Sequence, residues 1–522
     1  MTRLSKYQKN FCEAIATLAK GETVEGKHHI ILDAKAGSGK TFSITYAMKY
    51  IPVTQRVIAL MFNKRNAEDI KLKLPQTGNI EAMTTHSLGY RALRKVGVGR
   101  LDDNKMRAIL NDMQMTFPER QLFSQIRKMV GIAKALGIVP AGYRGAYGLL
   151  PDSPETWADI IDHYSIDFDE EWQSEAAIGF ARTALKISID KAGGRGGSID
   201  FDDMLYIPVT MKMPFPKYDW VFIDEAQDIA PIQREMVKRA VATGGHLVAV
   251  GDENQACYGF RAADSESIRN IQKEMDAHVM PLSICYRCDK DIIREAKKIV
   301  PAIEYHESKE DGSVTHGLPG STKEEQLKAF TPDAVILCPY NAPLVQTAFA
   351  LIRSRIACCM VGRDFAQGLV KLLKKLDAVT AQEAEKKLDA YFAAELVRLE
   401  GKENQIQSLE DKCDTLRVFL AESPANETVD RIVASIESLF NDDAKGMLML
   451  STIHRGKGSQ WPRVFLMDSH ILGQTTVGRR NKVRPLLPWE IQQRRNLLYV
   501  AVTRAEHELF YVTSEEISDA LR

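Results

Sequence analysis

Ala34-Lys35-Ala36-Gly37-Ser38-Gly39-Lys40-Thr41 sets two glycines, a lysine and a threonine at the spacing of a phosphate-binding loop. Glycines let backbone N–H groups close on phosphate oxygens, and a helix opening at the loop's end points its positive dipole at them. In that chemistry Ala36, Gly37, Ser38 and Gly39 line the phosphates, Lys40 reaches the β- and γ-phosphates, and Thr41 holds Mg²⁺. Ala34 stands where the strict pattern has glycine. A second acidic motif, Ile223-Asp224-Glu225-Ala226-Gln227-Asp228, ends a strand-like run. Asp224 there suits Mg²⁺ and Glu225 suits polarising a water. Acidic residues also cap helix starts for structural reasons alone. Joined to the loop, the pair reads as a Mg-ATP hydrolysis site.

Elements must carry these residues. Apolar runs at 29–33, 57–61, 220–224, 247–251, 334–338 and 464–468 alternate with helical patterns and often end in Gly, Asp or Thr. Continuous apolar strands between helices predict parallel sheets covered on both faces. The runs fall into an early and a late group, so we expect two α/β cores. Within the early group, about 88–199 reads as mainly helical and closes on a Gly-rich, slightly basic link at 191–198, expected to be flexible. Residues of about 376–444 are charged and helical. There Phe392, Leu399, Ile406, Cys413 and Leu420 recur every seven residues, with Leu409 and Leu416 on a second seam and Lys402 interrupting. That spacing suits a coiled coil, a helical hairpin, or one amphipathic helix packed on a domain.

The bulk numbers set bounds. A chain of 522 residues exceeds one hydrophobic core. Lys+Arg and Asp+Glu both total 69, so any nucleic-acid contact must be a local channel, not a general positive field. No apolar run is long enough to span a membrane, and the polar N-terminus lacks a signal-peptide core, so a cytoplasmic place is expected. The eight cysteines include one CxxC, Cys285 and Cys288, without a second pair at zinc-ribbon distance; reduced buried thiols are expected.

Further motifs follow in order: Leu4-Ser5-Lys6-Tyr7-Gln8, Phe62-Asn63-Lys64-Arg65-Asn66-Ala67, Thr84-Thr85-His86-Ser87 and Asp200-Phe201-Asp202-Asp203. Gly251-Asp252-Glu253-Asn254-Gln255-Ala256-Cys257-Tyr258-Gly259-Phe260-Arg261 and Cys285-Tyr286-Arg287 come next, before Thr452-Ile453-His454-Arg455-Gly456-Lys457-Gly458 and Leu498-Tyr499-Val500-Ala501-Val502-Thr503-Arg504-Ala505. With the two phosphate-site motifs, this set resembles the UvrD/Rep branch of helicase superfamily 1 across both α/β cores. The resemblance implies an α/β fold of two RecA-like P-loop domains, each with a mainly helical insertion: 1–87 and 200–275 (1A), 88–199 (1B), 276–375 and 445–522 (2A), and a reduced 2B at 376–444.

It also implies roles. Gln8 reads adenine and Tyr286 stacks on it; Gln255 senses the γ-phosphate and couples hydrolysis to movement. Arg287 and Arg504 bind the γ-phosphate from the second core. A correctly placed arginine stabilises the transferring phosphoryl by roughly 10³–10⁵ in rate. Two departures stand out. Ser459 and Gln460 replace the family's Leu-Glu, so Gln460 meets the nucleotide sugar without a charge. Asn63-Lys64-Arg65 replaces Thr-Asn-Lys.

The resemblance turns Phe62, Tyr258 and Phe260 toward single-stranded DNA, where aromatic faces stack on any base for about 1–3 kcal/mol each. Thr85, His86, Arg261 and His454 are the expected phosphate contacts. The implied activity is an ATP- and Mg²⁺-dependent DNA helicase or translocase of 3′→5′ polarity, in DNA replication, recombination or repair. Its partners are single-stranded DNA and single/double-strand junctions, with a protein partner at 376–444, no membrane, and a monomeric state. Eighteen residues follow Arg504, so no C-terminal nuclease domain is expected. The alternative is a DNA-activated ATPase subunit of a nuclease or defence complex that does not unwind; an RNA substrate is a third option.

Overall fold

The computed structural model describes residues 4–61, 63–97, 100–164, 166, 168, 170–193, 196–256, 266–398, 403–441, 446–479, 482–486 and 488–521. It divides into two compact units, Met1–Ser283 and Ile284–Arg522.

The first unit is built on strands β1 (Ile30–Ala34), β2 (Val57–Met61), β3 (Ile80–Thr84), β4 (Tyr218–Ile223), β5 (Val241–Gly251) and β6 (His278–Leu282). They form one six-stranded sheet in the order β3-β2-β4-β5-β1-β6, parallel throughout. Side chains alternate across a strand, and both faces are apolar here. Ile31, Ile58, Leu60, Val221 and Ile223 pack on one face against the inserted helices. Ile30, Leu32, Val57, Ala59, Trp220 and Phe222 pack on the other with Phe11, Ile15 and Ile44 of the first two helices. This double covering explains why the runs are continuous rather than alternating.

The insertion carries Lys105–Asp112, Phe123–Leu136, Pro154–His163 and Glu171–Ala192 as helices, as the sequence predicts. Residues 194 and 195 of the 191–198 link lie outside the described residues, and its end is fixed by pairing. Ser198–Ile199 pairs with Arg100–Leu101, and a Cβ on Gly197 would lie 2.5 Å from the Ala192 carbonyl oxygen, so glycine is needed for this close approach. The expected boundary after residue 275 also falls one strand early. His278–Leu282 pairs with Ile30–Ala34 along its whole length, which ties those residues to the first sheet.

The second unit holds strands β7 (Ser313–His316), β8 (Ala334–Cys338), β9 (Cys358–Met360), β10 (Leu448–Thr452), β11 (Trp461–Met467) and β12 (Ala505–Val512). Their order is β7-β12-β11-β8-β10-β9, again all parallel. The two sheets are the two expected RecA-like cores.

The seven-residue seam does not run through a single long helix. Ala381–Arg398 and Glu403–Ala421 are separate helices, and Leu399 and Lys402 lie outside the described residues. Ile406, Leu409, Cys413, Leu416 and Leu420 are buried in the same core as Ile336, Phe465 and Phe510 of the sheet. Asp411 fixes this docking. Its carboxylate accepts the backbone N–H groups of Asn341 and Ala342 and the Asn341 side-chain amide at 2.7–3.0 Å, at the N-terminus of helix Asn341–Arg353. From Ile406 to Leu420 the seam therefore serves internal packing.

Candidate nucleotide and nucleic-acid sites

Strand β1 ends at Ala34, and the loop after it turns on glycines. Gly37 and Gly39 have φ of 67° and 81°, the left-handed region in which a Cβ is strained. Helix Lys40–Ala47 starts directly afterwards. Thr41 is half-buried in its first turn. The Ser38 hydroxyl is buried, with no hydrogen-bond partner among the described residues. An unsatisfied buried polar group costs about 1–3 kcal/mol, and a phosphate oxygen would be an acceptor for this hydroxyl. The fit to a nucleotide phosphate thus rests on this orphaned hydroxyl and the glycine-turned backbone.

Glu225 follows the end of β4 in a left-handed conformation, φ 52°, uncommon for a residue with a side chain. Its carboxylate meets the Lys40 ammonium at 3.0 Å and accepts the Gln227 side-chain amide at 2.5 Å. Burial pulls the Lys40 ammonium down, but Glu225 and then Asp224 outweigh it and its pKa is raised. Asp224 goes the other way for a carboxyl: burial first and Glu225 second push it up to about 6, against Lys40. A buried, partly protonated carboxyl beside a threonine-bearing helix start is a hard oxygen donor set. Mg²⁺ uses few protein ligands and keeps waters and substrate phosphates, so Asp224 and Thr41 suit it.

Gln255 is buried at the end of the short turn Glu253–Gln255, after β5. Its side-chain amide donates to Asp252 Oδ2 at 2.9 Å. The Asp252 backbone N–H donates to Gln227 Oε1 at 3.1 Å. Gln227 thereby bridges Glu225 and the Gln255 turn, a role its place in the acidic motif did not announce. Gln8, also buried, forms a reciprocal cap with Ser5 and donates to Ser43 Oγ at 3.4 Å. It lies against the phosphate loop: a Cβ on Gly39 would sit 3.6 Å from Gln8 Nε2.

In the second unit, Arg287 and Arg504 converge on Thr503. Arg287 Nη1 donates to the Thr503 carbonyl at 3.1 Å, and Arg504 Nη2 donates to its hydroxyl at 3.2 Å. Arg504 further donates to the carbonyls of Val500 and Ser459, each at 3.0 Å, and is only 2% exposed. It is thus a held side chain rather than the solvated surface arginine that residue type alone suggests. Tyr286 is half-buried, with its ring 4.9 Å from His306. Gln460 is exposed and donates to Glu506 at 2.6 Å. All seven cysteines among the described residues are buried free thiols.

Of the expected DNA-facing residues, Phe62, Tyr258, Phe260 and Arg261 lie outside the described residues. Thr85 is buried and its hydroxyl accepts the Gln233 amide at 2.8 Å, so it supports the helix start and is not presented outward. His86 is pushed down to about 4 by burial, as is His454, where Lys457 adds to the effect. Both are neutral near pH 7 and could serve a phosphate only as hydrogen-bond donors.

The sequence reading gave Phe201 no role. It is 55% exposed, stacked on His86 with ring centroids 4.0 Å apart. Its segment is anchored from below: Lys134 pairs with Asp200 at 2.6 Å and Asp203 at 2.8 Å, while Lys105 pairs with Asp203 at 2.6 Å, all buried. An aromatic face held outward by a buried ion network is the kind of surface on which a base stacks.

Comparison with known proteins agrees with this geometry. Residues 19–276 match the model of the UvrD/REP helicase N-terminal domain. The chain is similar to the ATP-dependent DNA helicase PcrA of Bacillus subtilis, 25% identical over 298 residues, covering 52% of this chain and 37% of that protein. It is likewise similar to PcrA of Staphylococcus aureus, 24% identical over 306 residues, covering 53% and 38%. The match therefore spans under two-fifths of the length of these relatives.

Proposed function

The chain is a UvrD/Rep-like member of helicase superfamily 1, and from that premise we propose that it is an ATP-driven motor on single-stranded DNA. The observation that carries the proposal is the Lys40–Glu225–Gln227–Asp252–Gln255 circuit in the first unit. It links the residue that holds phosphate and the residue that polarises water to a glutamine on a separate loop. Such a circuit lets the state of the nucleotide be read at a second place in the fold.

In this proposal ATP binds over the phosphate loop with Lys40 on its β- and γ-phosphates. Gln8 stands ready for the adenine, Tyr286 stacks on it, and Gln460 meets the sugar. Glu225 takes the proton of the attacking water. Asp224 and Thr41 would hold Mg²⁺, which neutralises phosphate charge when bound. Arg287 and Arg504 act on the γ-phosphate as charge develops there; the family resemblance supports that step. Release of the γ-phosphate alters the hold of Gln255, and alternating grip on DNA by Phe62, Tyr258 and Phe260, aided by Phe201, converts the cycle into movement. Family precedent favours 3′→5′ travel.

The accessory-subunit alternative rested on the 392–420 seam. Its described positions from Ile406 to Leu420 pack into the second unit's own core, and no observation favours this alternative. Unwinding of tailed duplexes tests the proposal. Strand separation on a 3′-tailed substrate supports it; unwinding of 5′-tailed substrates alone contradicts the polarity, and no unwinding of either contradicts the helicase reading.

A further inference from the structure

Lys35 is the second residue of the phosphate-loop motif, yet its ammonium is engaged by two carboxylates outside that motif. Its ammonium meets Asp33 Oδ1 at 2.6 Å and Oδ2 at 2.8 Å, and Asp252 Oδ1 at 3.6 Å. Asp33 is partly exposed, whereas Asp252 is 0% exposed. Asp252 is the carboxylate that holds the Gln255 amide through Oδ2. Its Oδ1 accepts both the backbone N–H and the side-chain amide of Asn254, each at 3.1 Å.

A fully buried carboxylate persists as an anion only when it is paired and hydrogen-bonded. Its hydrogen-bond partners here, Asn254, Gln255 and the Asn254 backbone, are neutral. The Lys35 ammonium, 3.6 Å away, supplies positive charge beside it, with Lys40 also within electrostatic reach. Burial acts to lower the Lys35 pKa, but Asp252 and then Asp33 outweigh it and raise it, so the cation persists. Without that charge the buried carboxylate loses the cation at 3.6 Å that helps fix its orientation, and the Gln255 amide on its Oδ2 is held less firmly. Deleting the charge at Lys35 is therefore felt at a residue with which Lys35 has no need of direct contact.

We propose that Lys35 is a positioning residue that fixes Gln255 through Asp252, and so couples the phosphate loop to the turn at Glu253–Gln255. This rests on the motor reading above, in which Gln255 senses the γ-phosphate. It adds a second link from the loop to that turn, which joins the one through Glu225 and Gln227 at Asp252.

The test is a double-mutant cycle in the full chain, with Lys35→Met, Gln255→Ala and the pair, read as kcat and KM for ATP with single-stranded DNA present. Lys35→Met should lower kcat about tenfold or more with KM changed less than about twofold. In the Gln255→Ala background the same change should cost little, because both act as one unit. Independent, multiplying losses overturn the proposal. If Lys35→Met does not fold, Lys35→Gln, which keeps a donor but no charge, carries the same cycle. Hydrogen exchange gives a readout free of turnover: amides of 253–256 should exchange faster in the variant than in the wild type, and unchanged exchange there overturns the proposal. A wild-type turnover indifferent to DNA would instead sink the motor reading, while the cycle and the exchange would still judge Lys35.

Discussion

Lys40 and Glu225, 185 positions apart, meet in an ion pair 3.0 Å long at the centre of the first unit's phosphate site. Each is the other's nearest opposite charge, so a nucleotide that takes Lys40 must also release Glu225. Gln227 keeps hold of Glu225 through that exchange. In the proposed mechanism the pair would make the general base available only once phosphate has displaced it.

Glu225→Gln removes the competitor for Lys40 and the base together. ATP should bind at least as tightly as in the wild type, while turnover falls by roughly 10²–10⁴. Equilibrium binding and nucleotide trapping measure both. Weaker binding would show that Glu225 does not compete with nucleotide for Lys40.

Lys40→Ala should abolish turnover and leave the melting temperature within a few degrees, since Glu225 keeps Gln227 and partial solvent access. Persistent hydrolysis would place the phosphate site elsewhere.

Asp224 sets a pH dependence. Its carboxyl is raised from the usual carboxylate range to about 6. A folded-state pKa above the unfolded one contributes stability that is complete below the unfolded pKa, about 3.9, and lost as pH rises through the folded value. In chelator, this group should therefore lower stability as pH climbs from about 4 through about 6. Asp224→Asn should flatten that part of the curve. Mg²⁺ affinity should rise over the same interval, because the ion needs the carboxylate. Melting curves across this range, with and without Mg²⁺, check both signs.

Lys134→Met leaves Asp200 without its cation and Asp203 with Lys105 alone. The loss should be about 3–5 kcal/mol, the usual cost of breaking a buried pair by removing one partner, seen in urea unfolding of the full chain. A loss below about 1 kcal/mol, the range of surface pairs, would mean that water reaches the network.

Arg504→Ala should cut kcat by roughly 10³ or more while ATP affinity changes far less. Because Arg504 also holds Val500, Ser459 and Thr503, its melting temperature should fall too. Equal losses in rate and affinity would argue for ground-state binding only.

The strands were legible because burial on both faces demands continuous apolar runs: Val57–Met61 and Ala334–Cys338 match their predicted bounds residue for residue. The phosphate loop was legible because Gly37 and Gly39 occupy conformations that few other residues tolerate. Long-range partnerships were not. Nothing local to Lys35 points to Asp252, nor does Gln227 announce that it bridges two loops, since such contacts arise only when distant strands align their ends. Thr85 misled for a related reason: its hydroxyl looked free for a phosphate, but Gln233, 148 positions on, already uses it. The seam at 406–420 showed the true spacing of a buried helix face, while what covers that face is a property of the fold and not of the period.

The most direct measurement is the ATP turnover of the intact chain with and without single-stranded DNA. The account predicts a low basal rate that DNA raises many-fold, saturably, and that falls away with increasing salt as phosphate contacts weaken. A rate unchanged by saturating DNA would contradict it.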